Sequence, residues 1–227
     1  FNRPVELVLL QFSVKVSFAL NSDGMSMVFA GLISVLWPIA TLYSFEYMST
    51  EEREQPFFMF YTMTYGVTLG IAFSANIVSM YFFYEMLTLV TIPLVLHTFT
   101  REAVLATRKY IDFSIGGAAL GFMGLVFLVR CGGPGGFTLG GILQGHTAGL
   151  GMDLVLLLYV VAFLGFSIKA AMFPFYSWLP DAGVAPTPVT ALLHAVAVVK
   201  AGAFAVIRLT YYCFGTELLR GTWAQNV

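Results

Sequence analysis

Residues 154–202 read LVLLLYVVAFLGFSIKAAMFPFYSWLPDAGVAPTPVTALLHAVAVVKAG. One uncharged run, 154–168, leads into Lys169, and a second, 182–199, leads into Lys200. Both runs are continuous, unlike the alternating ten-residue segments of a β-barrel, and predict helices that cross a bilayer. The first pattern, Asp153 to Pro180, would measure about 42 Å as one helix. Pro174 lies inside it, removing a backbone donor and crowding the carbonyl of Ala170. A helix broken after Lys169 is therefore expected. Pro186 and Pro188 suit the first turn of the helix that follows.

The rest of the chain follows the same pattern. Residues 24–45 and 113–129 carry no charge, and 57–100 carry only Glu85. At about 20 residues per crossing, six spans are expected: 25–45, 57–75, 77–97, 110–130, the broken 153–180, and 187–210. Ser74-Ala75-Asn76 is the turn dividing the second from the third. The fold class is an all-α, polytopic transmembrane helix bundle of about six helices. Residues 1–24 form a leading segment on the non-cytoplasmic side, and 98–112 an amphipathic loop along a membrane face. The glycine-dense stretch 131–152 lacks the lysine and strand–helix setting of a phosphate-binding loop, and is expected to be a flexible loop with a short surface helix. Lys and Arg fall on both sides of the bundle (Arg53, Arg101, Arg108 and Lys109 against Arg3, Lys15, Arg130, Arg208 and Arg220). The positive-inside rule therefore does not orient the chain, although the dense Arg101–Lys109 stretch favours its own side as cytoplasmic. Gly117-Ala-Ala-Leu-Gly121, followed by Gly124, would let another helix approach closely.

Composition agrees with a bilayer setting. The chain has 227 residues, 59% hydrophobic and 10% charged, with a mean hydropathy of +0.85. Soluble domains average about 25% charge, so an ordinary soluble enzyme is excluded. A net charge of −1 argues against nucleic-acid binding. Cys131 and Cys213 form neither a metal-binding spacing nor a disulfide framework. The opening residue, Phe1, carries no signal-peptide pattern and reads as the start of an internal or partial piece.

Function is expected from the ionisable residues inside the spans: Glu85, Lys169, His194 and Lys200. A charge at the centre of a lone helix costs roughly 2.5–3.5 kcal/mol on insertion scales. Such groups persist where they face the bundle interior, pair with one another or touch internal water, and they mark ion or proton pathways. A broken helix at membrane depth is tolerated where its backbone lines such an interior. A Glu85–Lys169 contact that forms and breaks would change the proton affinity of both groups, each pKa unit amounting to about 1.36 kcal/mol. On a regular helix His194 and Lys200 lie about 240° and 9 Å apart, which suits two successive stations of a lateral relay. The alternative is a buried ion pair that sets helix register. Arg130 and Arg208, at helix ends, are expected to snorkel to the interface. His97 and His146 have no assigned role.

These residues, in this order, resemble the antiporter-like proton-translocating membrane subunits of respiratory complex I, Mrp-type antiporters and membrane-bound hydrogenases. The resemblance rests on Asp23-Gly-Met-Ser26, Tyr84-Glu85, Lys169-Ala-Ala-Met-Phe-Pro-Phe-Tyr-Ser-Trp-Leu-Pro-Asp-Ala182, and Pro186-Thr-Pro through His194 to Lys200-Ala-Gly. It implies that Glu85 and Lys169 form the family's rearranging pair and that His194 and Lys200 are later stations of its polar axis. Asp181 would be a loop anchor. It also implies that the chain is the first inverted repeat of the antiporter-like fold, holding one half-channel, with the second half absent.

The first functional reading is a proton- or sodium-translocating subunit of a redox-driven complex in the cytoplasmic (inner) membrane. The chain would carry no cofactor or metal of its own. Iron–sulfur clusters are expected in partner subunits, and other membrane subunits, including whatever supplies the second half, are expected partners. The second reading is a subunit of an Mrp-type antiporter without redox chemistry. The third is a structural subunit that does not transport.

Overall fold

The computed structural model describes residues 6–13, 16–132, 136–143 and 149–226. Asp23 opens the first helix, its carboxylate accepting from the Ser26 backbone N–H at 2.8 Å, as an N-cap does, and α1 runs Gly24–Met48. Its buried positions, Ser26, Ala30, Ile33, Trp37, Ser44 and Met48, form one stripe at helical spacing. The opposite side exposes Val28, Val35, Ile39 and Leu42. An apolar exterior of this kind belongs against lipid or further protein. α2 (Glu54–Ala72) and α3 (Ile77–Val95) form a hairpin, with Asn76 capping α3 through Ser79 N–H at 2.9 Å.

α4 (Arg101–Cys131) differs from the expected pairing of an amphipathic loop, 98–112, with a span, 110–130. Thr100 caps it, and one helix of 31 residues follows. No glycine or proline interrupts 101–115, and Ala103, Ala106, Tyr110, Ser114 and Gly117 continue a single buried face. At 1.5 Å per residue it measures about 46 Å, so its first turns extend past a hydrocarbon layer of about 30 Å.

α5 (Met152–Ser167) packs on α4 through small residues. A Cβ on Gly117 would lie 2.8 Å from the Gly165 carbonyl oxygen, so the two backbones touch at the expected glycine pattern. α5 ends at Ser167, and turns lead to a 3₁₀ turn, Phe175–Ser177, and the short α6 (Trp178–Ala182). The break therefore precedes Pro174 instead of centring on it. The last long helix, Thr187–Phe214, contains α7 (Thr187–Ala191), a π-helical turn (Leu192–Val196), α8 (Val198–Ile207) and a second π-helical stretch (Arg208–Phe214). A short α9 (Thr216–Leu219) follows.

Against six expected spans, four helices among the described residues are long and apolar enough to cross a membrane: α1, α3, α4 and Thr187–Phe214. α5 is apolar but has only 16 residues because it stops at the break. α2 has 19 residues but carries Glu54, Gln55, three threonines and two tyrosines.

The leading segment is a β-hairpin, which the helical reading did not anticipate. β1 (Glu6–Gln11) pairs antiparallel with β2 (Ser17–Asn21). β2 is fastened to the α2–α3 turn, where Asn21 N–H donates to Phe73 at 2.6 Å and Ala75 N–H to Ala19 at 3.0 Å. Within the glycine-rich connection, the stretch 136–143 is also fastened. Gly140 N–H donates to Tyr211 at 3.0 Å and Ile142 N–H to Cys213 at 2.9 Å, satisfying carbonyls that the last helix leaves open at its end. The expected surface helix is absent from the described residues of this connection. His146 lies outside them.

Candidate functional site

Glu85 sits midway along α3, and the end of α5 meets it there. The last carbonyls of a helix lack partners within the helix, and at this buried end aromatic side chains supply them. Tyr84 Oη donates to the Phe166 carbonyl at 2.8 Å, and Trp178 Nε1 to the Ile168 carbonyl at 2.9 Å. Trp178 and Tyr110 rings lie 5.2 Å apart, and Tyr110 Oη is 2.7 Å from Thr91 Oγ1 on α3. Asp181 receives a hydrogen bond from Lys109 Nζ at 2.6 Å, joining α6 to α4.

Lys169 is the second residue beyond α5 and is 1% exposed. Its ammonium donates to the Tyr84 carbonyl, lies 3.6 Å from the centroid of the Tyr84 ring and is 3.8 Å from Glu85 Oε1. A cation just past a helix C-terminus is also favoured by the helix dipole. Two unit charges about 4 Å apart attract by about 4 kcal/mol at an effective dielectric near 20. That is comparable to the insertion cost of one buried charge, so the contact offsets much of the cost of placing the two groups inside the bundle.

Close approach of α8 completes the enclosure. A Cβ on Gly202 would lie 2.6 Å from the Lys169 carbonyl carbon and 2.8 Å from Ala170 Cα, both backbone atoms. Gly202→Ala should therefore push α8 off the break and lower stability by about 1–3 kcal/mol, the usual cost of overpacking. A fall in the thermal transition of the detergent-solubilised protein would show it, and an unchanged transition would contradict the packing.

Of the four expected site residues, the structure brings two together. Glu85 and Lys169 are paired, whereas His194 and Lys200 are exposed on this chain. Lys200 does not face the pair because it is two residues, about 200°, from Gly202, whose side of α8 faces the break. His194 belongs to a π-helical turn, in which Ala197 N–H donates to Leu192 at 2.8 Å. The regular 100° per residue behind the 240° separation therefore does not apply across 194–200.

Arg208 also departs from expectation. It does not snorkel but is 1% exposed. Its guanidinium donates to both Asp23 oxygens, at 2.5 and 2.7 Å, and to Ser26 Oγ at 2.9 Å. Rings of Phe137, Phe204 and Tyr212 lie 4.4–5.1 Å away. These groups enclose it before it can reach the interface. Burial alone would raise the Asp23 carboxyl pKa, but hydrogen bonds from Arg208 and Ser26 outweigh this and hold it below the usual value. The available sequence signals were an acid capping α1 and an arginine inside the otherwise apolar run 201–214.

A bundle with several helices apolar enough to cross a bilayer, and with a buried lysine facing a mid-helix glutamate, is a multi-pass membrane protein. Residues 74–225 match the family model described as NADH:quinone oxidoreductase/Mrp antiporter, TM. Residues 10–58 match NADH-Ubiquinone oxidoreductase (complex I), chain 5 N-terminus. The chain belongs to this NADH:quinone oxidoreductase/Mrp antiporter family. It is 35% identical over 202 residues to a Na(+)/H(+) antiporter subunit of Alkalihalophilus pseudofirmus, covering 87% of this chain and 25% of that protein. With a Na(+)/H(+) antiporter subunit of Staphylococcus aureus it shares 31% identity over 196 residues, covering 86% and 24%. The chain thus spans about a quarter of the length of these relatives. The fold is also that of a chain in the Mrp complex from Dietzia sp. (TM-score 0.79, 24% identity, 91% of this chain and 23% of that one). A chain of the membrane-bound sulfane sulfur reductase, an archaeal respiratory membrane complex, shares it as well (TM-score 0.75, 23% identity, 91% and 42%).

Proposed function

We propose that this chain is part of an ion-translocating subunit of a multi-protein complex in the cytoplasmic membrane, moving protons or sodium ions by making and breaking the Glu85–Lys169 contact. The observation that carries this reading is Lys169, buried at the end of α5 and 3.8 Å from the Glu85 carboxylate. In this reading the two groups exchange charge with the pathway each time they separate. His194 and Lys200 are the next stations, on a face that further membrane segments cover.

The antiporter relatives, at 31–35% identity, support an Mrp-type antiporter over the redox-driven reading. The matched family spans NADH:quinone oxidoreductases as well, which keeps a redox-driven complex as the second reading, with iron–sulfur clusters in partner chains only. Small antiporter proteins copurifying with the chain support the first, and iron–sulfur proteins the second.

The test is Glu85→Gln in the assembled complex, reconstituted in vesicles with an internal pH dye. Cation-driven or redox-driven proton movement is expected to fall to the level of empty vesicles, with the complex still fully assembled. Normal ion movement by this variant would sink the proposal.

A further inference from the structure

At one end of the bundle, the loop before α2 meets the turn after α3. Two adjoining clefts lie between them, one of about 350 Å³ and one of about 190 Å³. The larger is lined mainly by Pro56, Phe57, Phe60, Pro93, Leu94 and Phe99. The smaller is lined by Glu51, Glu52 and Thr98. Arg53 and His97 line both.

The polar rim is built from unusual backbone. Arg53 and Phe99 are non-glycine residues with φ of 62° and 52°, a left-handed conformation that such residues seldom adopt. Together they place the Arg53 guanidinium 4.5 Å over the Phe99 ring. Glu51, Glu52 and Glu54 surround Arg53 in sequence, yet among the described residues no carboxylate lies within 4.0 Å of it. His97 is held at its other edge, Nε2 lying 3.0 Å from the Glu52 carbonyl oxygen.

From the helices outward, the surface runs from apolar aromatic to cationic to anionic. An amphiphile matching that order has acyl chains, then a phosphate, then an ammonium group. We infer that the double cleft binds a phospholipid with a phosphate–ammonium headgroup, of the phosphatidylethanolamine type, with its phosphate on Arg53 and its ammonium between Glu51 and Glu52. Arginine suits the phosphate because its planar guanidinium donates in pairs, and its aromatic support stays in place when the lipid binds. A headgroup lacking the ammonium would face Glu51 and Glu52 unpaired.

The protein in its native membrane assembly would be delipidated in detergent, returned to nanodiscs holding equal phosphatidylethanolamine and phosphatidylglycerol, and its retained lipid measured by native mass spectrometry. Wild type is expected to retain phosphatidylethanolamine at least tenfold over phosphatidylglycerol at this site. Arg53→Asn, chosen because asparagine tolerates the left-handed backbone, should lower retention of both lipids fivefold or more. Glu51→Gln with Glu52→Gln, two exposed changes, should leave phosphatidylglycerol retention intact and remove the preference. Equal retention of the two lipids by wild type would overturn the inference. So would a preference that the glutamine pair leaves unchanged.

Discussion

Lys169→Met is expected to abolish ion translocation and, separately, to destabilise the bundle. Methionine keeps much of the length of the side chain while removing the ammonium that bonds to the Tyr84 carbonyl and faces Glu85 at 3.8 Å. The carboxylate at mid-membrane then has no cation beside it, and breaking a buried pair from one side costs about 3–5 kcal/mol. Adding Glu85→Gln removes the unpaired charge. The double variant should recover most of the lost stability and none of the transport. Vesicle assays paired with thermal unfolding would separate the two effects. If the double variant translocated ions, the pair would be structural only.

Asp23→Ala should produce the second large effect. It leaves the Arg208 guanidinium, 1% exposed, with Ser26 Oγ as its hydrogen-bond acceptor among the described residues, and the expected loss is again about 3–5 kcal/mol. Asp23→Ala combined with Arg208→Leu should restore much of it, because apolar replacement of both partners is close to neutral. A double-mutant cycle on unfolding midpoints measures the coupling. Simple additivity would show that the pair contributes nothing. The pH dependence has a definite sign. The folded carboxyl titrates below its ordinary value, so the stabilisation is fully present above about pH 4 and disappears as pH falls through the lowered folded value. Near neutrality the Asp23 carboxylate is ionised, so this contribution to stability does not vary with pH there.

The membrane class and the pair were legible because both follow from one-dimensional facts. Long uncharged runs have few destinations other than a bilayer, and a charge interrupting one must find a partner. Glu85 and Lys169 could be named on that ground before their contact was visible. Arg208 could not, since its position near a helix end is equally consistent with reaching water. Its burial depends on Asp23, 185 residues away, and on the Phe137 ring delivered by the glycine-rich connection. The hairpin was missed because β1 and β2 are too short to announce themselves, and their pairing is supported by backbone bonds to the α2–α3 turn. The length of α4 was misjudged for a different reason. Charges on its exposed side suggested a loop, although the uninterrupted buried face was already written in the alanines and glycines. The exposure of Lys200 depends on which side of α8 faces the break, and that is set by Gly202, a residue with no side chain to advertise it; the direction of His194 depends on a π turn that no regular spacing predicts.

The π turn at Leu192–Val196 has a consequence for the bearing of His194. A helix holding one more residue than its regular lattice allows contains a dislocation, and everything on one side of it is rotated relative to the other by about 100°. His194 lies within that defect and Lys200 beyond it. The angle between them is therefore governed by where the surplus residue is lodged, not by the six positions that separate them. The bearing of the imidazole is thus fixed by the position of this defect, whereas that of Lys200 is fixed by the packing of Gly202 against the break.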